Sequence, residues 1–230
     1  MSINKKQIKN YLRNGKKLKK SLLFQNDIDQ ISNMKIDPIE NKNSILPKNA
    51  SIKVRIDEAI KALNQGIDPT KICKLLDWRE FEHLSLEAFK LSGYGAVKGF
   101  IFNSKNRKFQ VDIIAFKYKI ILSVDCKHWM FTNWFFKLNE ASKDHSKRTE
   151  ALASNIELFA KKFSIKLSRR NFVIPIILTL GEPRTNVVNK VPIVSVLKLR
   201  DFLYGLAYPD DLGFKYYRAI LPNLMDKIGK

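Results

Sequence analysis

Residues 119–129 read KIILSVDCKHW, and this stretch decides the fold. Its segment IILSV is apolar at four of five positions, which is typical of a strand buried in a core. The strand ends in Asp125, Cys126 and Lys127, and an acid and a base at the end of a buried strand are costly unless a partner compensates them. We therefore predict a strand over 120–127 whose end carries a paired or functional group of charges.

Helical and strand patterns alternate along the rest of the chain. Apolar spacing indicates helices within 52–66, 69–76, 78–92, 139–163 and 199–206, and strands at 96–103, 108–116, 171–180 and 191–196. From Trp78 onward the order is α-β-β-β-α-β-β-α. Short hairpins followed by crossovers give a mixed sheet, so the sequence predicts an α/β fold with helices flanking that sheet.

Four regions follow from this pattern. Residues 1–51 are rich in Lys, Asn, Ile and Ser and are expected to form a basic, partly disordered arm. Residues 52–77 form two short helices, as a helical hairpin packed on the next domain or as a helix-turn-helix. Residues 78–208 carry the α/β domain. Residues 209–230 are predicted to contain an amphipathic helix around Phe214, Tyr217, Ile220 and Leu221.

Charge is the most unusual property of the composition. The chain has 42 Lys and Arg residues against 22 Asp and Glu residues, for a formal net charge of +20. This excess suits a polyanion, with nucleic acid as the first expectation and an anionic membrane surface as the second, although a generally basic proteome gives the same excess.

Two basic clusters are candidate phosphate contacts. They comprise Lys16, Lys17, Lys19 and Lys20 in the arm, and Lys161, Lys162, Arg169 and Arg170 at the end of the long helix and after it. The first cluster can instead be part of a solvated tail, and the second can offset the dipole of the helix that precedes it.

The sequence argues against several other classes. Cys73 and Cys126 lack CxxC spacing and a secreted context, so we expect reduced thiols in a cytoplasmic protein. The longest apolar run, Phe172–Leu178, is too short to span a bilayer, and the lysine-rich first residues have no signal-peptide core. A P-loop is absent, so nucleotide hydrolysis is not indicated.

Alternation along the strands brings charged residues together. Asp125 and Lys127 share one face, and in a hairpin that turns at Tyr118 the level of Asp112 matches that of Asp125 to within about one residue. Two converging carboxylates repel each other unless a cation lies between them, and Mg²⁺ accepts one or two protein carboxylates. Metal-assisted phosphodiester cleavage is one interpretation. On spacing alone, a plain Asp125–Lys127 salt bridge with Asp112 paired elsewhere is favoured.

An acid on the second strand and Asp-Cys-Lys at the end of the third, after a helix that carries an acid, resemble the PD-(D/E)xK nuclease superfamily. The likeness is closer to Mrr-like type IV restriction endonucleases and archaeal Holliday-junction resolvases, because REFEHLSLEAFKLSGYGAV at 79–97 is similar to the Mrr-type opening helix. The resemblance covers roughly 78–206 and continues through IPIILTLGEP and VPIVSVLKLRDFL. Val111 stands where the motif name has proline, and Asp125 stands where glutamate is commoner.

The resemblance implies a restriction-endonuclease-like domain with an αβββαβ core and a metal-dependent DNA endonuclease activity. It implies that Asp112, Asp125 and the helix acid Glu82 hold Mg²⁺, which Mn²⁺ can replace, and that Lys127 is the catalytic lysine. The implied partner is DNA, no membrane is involved, and a homodimer is an option because family members often act as dimers. A catalytically inactive DNA-binding or scaffolding protein on the same fold is the alternative.

Overall fold

A computed structural model of the chain describes residues 46–47, 49–129, 135–206 and 213–221, so the predicted arm lies almost wholly outside the described residues. Within them, the helices are α1 (Ile52–Asn64), α2 (Pro69–Leu75), α3 (Trp78–Leu91), α4 (Phe135–Ser154), α5 (Ile156–Lys162) and α6 (Leu199–Gly205). The strands are β1 (Gly95–Ser104), β2 (Arg107–Lys117), β3 (Ile120–Lys127), β4 (Arg170–Thr179), β5 (Val187–Val188), β6 (Val191–Ser195) and β7 (Tyr217–Ile220).

The seven described strands form one mixed sheet in the order β1–β2–β3–β4–β6–β5. β1, β2 and β3 are antiparallel neighbours, whereas β3, β4 and β6 run parallel. One edge of β4 is shared between two strands: its first half pairs with β7 and its second half pairs with β6. The predicted α/β fold with a mixed sheet flanked by helices is therefore confirmed.

Helices cover both faces of the sheet, as buried parallel strands require. α3 and α6 pack on one face, and α4 and α5 pack on the other. The first layer buries Phe81, Phe89, Leu122, Ile176 and Phe202. The second layer buries Phe100, Ile114, Ile121, Leu152 and Phe159. β3 contributes to both layers, so its end is held from both sides.

The segment near the C-terminus differs from the expectation drawn from the sequence. The predicted amphipathic helix is wrong within residues 213–221, where Tyr217–Ile220 form β7, antiparallel to the start of β4. Tyr217, Ala219 and Leu221 contact the layer of α4 and α5 with strand alternation rather than helical spacing. Pairing here satisfies backbone groups of β4 that a helix would leave without partners.

The long helix predicted over 139–163 is interrupted and starts earlier, at Phe135. Asn155 separates α4 from α5, and its amide donates to Ala151 O at 2.8 Å and to Ser104 Oγ at 3.1 Å. The bend lets α5 cross β1, where the rings of Phe159 and Phe100 meet at 5.3 Å between centroids.

A buried ion pair fixes α1 and α2 to α3. The guanidinium of Arg55 donates to both carboxylate oxygens of Glu80 and to Leu75 O, the last at 2.8 Å. His128, directly after β3, donates through Nε2 to Leu76 O at 2.7 Å. The two helices therefore pack on α3 and are also tied to the end of β3.

Candidate functional site

β2 and β3 separate at the level of the two aspartates. Their backbone ladder ends with Ile113 opposite Val124, and the next position places Asp112 across from Asp125. A side chain continues the connection there, because the N–H of Cys126 donates to Asp112 Oδ2 at 2.9 Å. This register confirms the predicted match in level between the two acids.

Gly99 on β1 lies opposite Asp112, between two regular pairs of the β1–β2 ladder. Its φ of +71° is a conformation that residues with a side chain rarely adopt. Val111 and Ile114, three residues apart, contact the same apolar cluster, although strict alternation would put them on opposite faces. The backbone of β2 is therefore rotated around Asp112, which directs that side chain toward the gap between β2 and β3.

Asp125 is almost fully buried, with 2 % of its surface exposed, and two cations hold it. Lys127 Nζ lies 2.8 Å from Oδ2, and Arg148 on α4 donates through Nη1 to Oδ1 at 3.1 Å. Arg148 also donates to Gln110 O at 3.4 Å, so its guanidinium spans the gap between β2 and β3. Asp125 and Lys127 form the contact that strand alternation predicted, and this contact is common to the metal-site and salt-bridge interpretations.

The two aspartates have opposite electrostatic environments. Burial raises the pKa of Asp112 to about 6, and the charge of Asp125 adds to that increase. Burial alone would also raise the pKa of Asp125, but His145, Lys127 and Arg148 together bring it below its usual value. His145 is uncharged at neutral pH, so there the contacts with Lys127 and Arg148 stabilise the Asp125 carboxylate. The repulsion between the two acids therefore appears as a raised pKa at Asp112 and not at Asp125.

His145 on α4 contacts β3 just before the site and is fully buried. Its Nε2 donates to Ser123 O at 2.8 Å, and its Nδ1 has no hydrogen-bond partner among the described residues. Burial lowers the pKa of His145 to about 4, so the ring stays neutral at pH 7. Sequence reasoning does not find His145 or Arg148, because their roles depend on where α4 crosses the sheet.

Glu82 is the acid of α3 that acts on the candidate site. Its carboxylate lies 3.0 Å from Lys98 Nζ on β1, and its charge contributes to the raised pKa of Asp112. Glu80, two residues earlier, is instead bound by Arg55 on the side of α1. The structure thus brings Glu82 near Asp112 and directs Glu80 elsewhere.

The residues at this point fit a divalent cation in part. Asp112 and Asp125 supply two carboxylates, a number that Mg²⁺ takes from proteins, and Asp112 has no salt bridge among the described residues. The described residues contain no group of three or more His, Cys, Asp or Glu side chains arranged to hold a metal. Asp112 can therefore bind a cation without losing an ion pair to a described residue. Asp125 and Glu82 would each have to give up an ion pair with a basic side chain before they could bind one.

Four of the eight predicted phosphate contacts fall within the described residues, and none of these four contacts Asp112, Asp125 or Lys127 there. The cluster of the arm, Lys16, Lys17, Lys19 and Lys20, lies outside the described residues. Lys161 pairs with Glu157 at 3.1 Å, and Lys162 Nζ lies 5.5 Å from the ring centroid of Phe100.

Arg169 and Arg170 lie at the opposite end of the sheet from Lys127. β3 and β4 run parallel, with Ile120 beside Phe172 at one end and Lys127 beside Thr179 at the other. Arg170 begins β4, so the two arginines are level with the start of β3 and not with its charged end.

No protein-family model matches the chain, and no curated protein gives a significant sequence match. None of the described helices is long and apolar enough to cross a membrane. A proposal of function therefore rests on the geometry of these residues and on the motif that they carry.

Proposed function

We propose that this chain is a metal-dependent endonuclease that hydrolyses phosphodiester bonds of DNA, on a restriction-endonuclease-like fold. One observation carries the proposal, which is that Asp112, Asp125 and Lys127 meet where β2 parts from β3, with Glu82 close enough to influence Asp112. The order α3-β1-β2-β3-α4-α5-β4 supports it, since it matches the αβββαβ core that the resemblance implies, with a broken second helix. An Mrr-like or junction-resolving enzyme is the subclass that the sequence resemblance favours.

Each side chain of the candidate site has its own role in the proposed reaction. A bound Mg²⁺, or Mn²⁺ in its place, would polarise the scissile phosphate and lower the pKa of an attacking water. Asp112 and Asp125 would hold it, and Glu82 would support them. The ammonium of Lys127 lies 2.8 Å from Asp125 and 5.9 Å from the ring centroid of Trp129, and this position suits it to orient water or to offset negative charge that develops on the phosphate.

A catalytically inactive DNA-binding or scaffolding protein on the same fold is the second candidate. The pairing of Asp125 with both Lys127 and Arg148 favours it, because each carboxylate oxygen already has a cationic partner. The charge network is then structural, and the positive charge of the chain serves binding alone. Metal-dependent cleavage separates the two candidates.

Incubation of the purified protein with supercoiled plasmid, a four-way junction and single-stranded DNA, each with Mg²⁺, Mn²⁺ or EDTA, tests the proposal. We expect cleavage of at least one substrate with either metal and none in EDTA. Asp125→Ala and Lys127→Ala should abolish cleavage and keep DNA affinity in EDTA close to that of the wild type. Lys143→Ala, an exposed position on α4, is the matched control and should cleave normally. Cleavage by the two site variants at the wild-type rate would reject the site, and no cleavage of any substrate would favour the inactive protein.

A further inference from the structure

Three segments that are distant in the sequence meet at the end of the sheet opposite the candidate site. They are the β2–β3 turn, the loop that leads into β4, and β7. The N–H of Phe172 donates to Lys119 O at 2.8 Å, and the N–H of Leu221 donates to Arg169 O at 2.8 Å. The exposed cations of these segments are here called the basic pole, which comprises Lys119, Lys166, Arg169, Arg170 and Arg218.

The positive charge of the basic pole is not offset within the described chain. The sequence has no Asp or Glu from 113 to 124, from 158 to 181 or from 213 to 221. Among the residues with described positions, no ion pair involves any of the five cations. At the candidate site, by contrast, Lys98, Lys127 and Arg148 each contact a carboxylate. Like charges without compensation repel each other, so an anionic partner would stabilise this arrangement.

Strand pairing places two arginines of the basic pole on one face. Arg170 lies opposite Ile220 in the β4–β7 ladder, and Arg218 shares the face of Ile220 because it is two residues away. Diagonal neighbours of this kind are about 7–8 Å apart, so both guanidinium groups can contact the same strand of a nucleic acid. Tyr118, in the adjoining turn, is 86 % exposed and presents an aromatic ring beside the cations.

The basic pole is separate from the candidate site. β3 runs from Ile120 to Lys127 between the two ends of the sheet. At about 3.3 Å per residue, this strand puts the basic pole roughly 20–25 Å from Asp125. Its cations therefore lie too far away to act on the phosphate that undergoes cleavage.

We propose that the basic pole is a second nucleic-acid-binding surface, which grips the phosphate backbone of duplex DNA away from the point of cleavage. Guanidinium groups form paired hydrogen bonds with phosphate oxygens, and an exposed tyrosine can stack on a base where the duplex opens. A membrane surface fits less well, because membrane-surface segments are amphipathic helices with a broad apolar face, whereas the basic pole consists of turns and strand ends. The choice of DNA as the polyanion rests on the proposed function.

Binding of a fluorescent 30-bp duplex in EDTA, measured by anisotropy over a series of salt concentrations, tests this surface without any need for cleavage. The variant Arg170→Glu/Arg218→Glu is compared with Lys53→Glu/Lys71→Glu, two exposed lysines on α1 and α2 whose replacement changes the net charge equally. We expect the first variant to bind about tenfold more weakly. The slope of its plot of log affinity against log salt should be less steep by about 1.8, because two phosphate contacts are lost. The control should keep a slope and an affinity close to those of the wild type.

Lys119→Ala/Arg169→Ala, in the turn and the loop, repeats the test outside the strands, and circular dichroism melts confirm that each variant is folded. Equal weakening of the variants and the control would overturn the proposal, because general charge would then explain binding. Unchanged affinity in both pole variants would also overturn it. Loss of binding to phosphatidylserine-containing vesicles with unchanged DNA binding would assign the surface to membranes instead.

The same proteins separate this inference from the proposed function. A wild type that binds DNA through the basic pole and cuts no substrate supports the surface and rejects the endonuclease. A wild type that cuts DNA, with pole variants that bind like it, supports the endonuclease and rejects the surface.

Discussion

Arg148 donates to Asp125 across 3.1 Å and joins the middle of a helix to the end of a strand 23 residues away in the sequence. The same guanidinium reaches Gln110 O on the neighbouring strand. A long, planar cation thus bridges two strands at the point where their own hydrogen bonds stop. It sets the orientation of Asp125, the more buried of the two acids opposed there.

Replacement of Arg148 should weaken the fold. In Arg148→Ala, the carboxylate of Asp125 keeps Lys127 but loses a charge-assisted hydrogen bond, which should lower the free energy of unfolding by about 1–3 kcal/mol. Urea denaturation in EDTA at pH 7.5 measures the difference. The control is Lys147→Ala, one residue earlier, whose exposed pair with Asp144 at 3.6 Å should contribute little. Equal effects in the two variants would show that Arg148 does not support Asp125.

Replacement of Asp112 should stabilise the metal-free protein. The folded pKa of Asp112 is about 6, above the unfolded value, so the folded state keeps a proton that the unfolded state releases between about pH 4 and pH 6. Stability therefore decreases as the pH rises through this window. Asp112→Asn removes that penalty and should melt at a higher temperature than wild type at pH 7.5 in EDTA. The gap should close as the pH falls toward 4.5, and a gap independent of pH would contradict the assignment.

Because wild type and Asp112→Asn are compared at the same pH, the contribution of His145 to stability cancels. Its folded pKa is about 4, below the unfolded value, so the stability that it contributes is present above about pH 6.5 and is lost as the pH falls. This effect has the opposite sign to that of Asp112 and is the same in both proteins.

Replacement of Asp125 should have the reverse effect. Its folded pKa is lowered, so its charge stabilises the fold above the unfolded pKa, and this contribution is lost as the pH falls through the folded pKa. Asp125→Asn leaves Lys127 and Arg148 without a carboxylate and should melt several degrees below wild type at pH 7.5 in EDTA. Millimolar Mn²⁺ should raise the melting temperature of the wild type and leave the variant unchanged. A higher melting temperature for Asp125→Asn in EDTA would contradict the ion-pair network.

Replacement of Arg55 should loosen α1 and α2 from α3. The side chain of Glu80 is only 4 % exposed, so Arg55→Ala leaves a buried carboxylate without its cation and should cost about 3 kcal/mol. Chemical denaturation measures the loss, and Arg55→Ala/Glu80→Ala should recover part of it. Lys61→Ala, which breaks the exposed pair with Glu58, serves as the control and should stay close to wild type. An Arg55→Ala protein as stable as this control would show that the ion pair is dispensable.

The sequence predicts those parts of the molecule that depend on local pattern. β3 spans the predicted 120–127, because a run of apolar residues followed by charges defines a buried strand within a few positions. The opposition of Asp112 and Asp125 follows from counting residues on either side of one tight turn. Both results require only neighbouring segments of the chain.

The parts that could not be predicted depend on contacts between distant segments. Arg148 and His145 act on β3 because α4 crosses it at their level, and the helical pattern does not encode that crossing. β7 resembles a helix in its apolar spacing, and its pairing with β4, more than forty residues earlier, decides its conformation. The rotation of the backbone at Asp112 likewise occurs opposite Gly99 in the adjacent strand, whose φ of +71° the alternating pattern does not predict.

The edge of β4 that β6 and β7 share has a consequence for the order of folding. β6 covers only Ile177–Thr179, so the first half of the same edge stays open until Tyr217–Ile220 have been synthesised and have paired with it. Contacts between segments far apart in sequence form late, and an apolar strand with an open edge recruits strands from other chains. The nascent protein therefore passes through a stage at which the backbone of Arg170–Val173 is open to pairing with another chain, and β7 ends that stage.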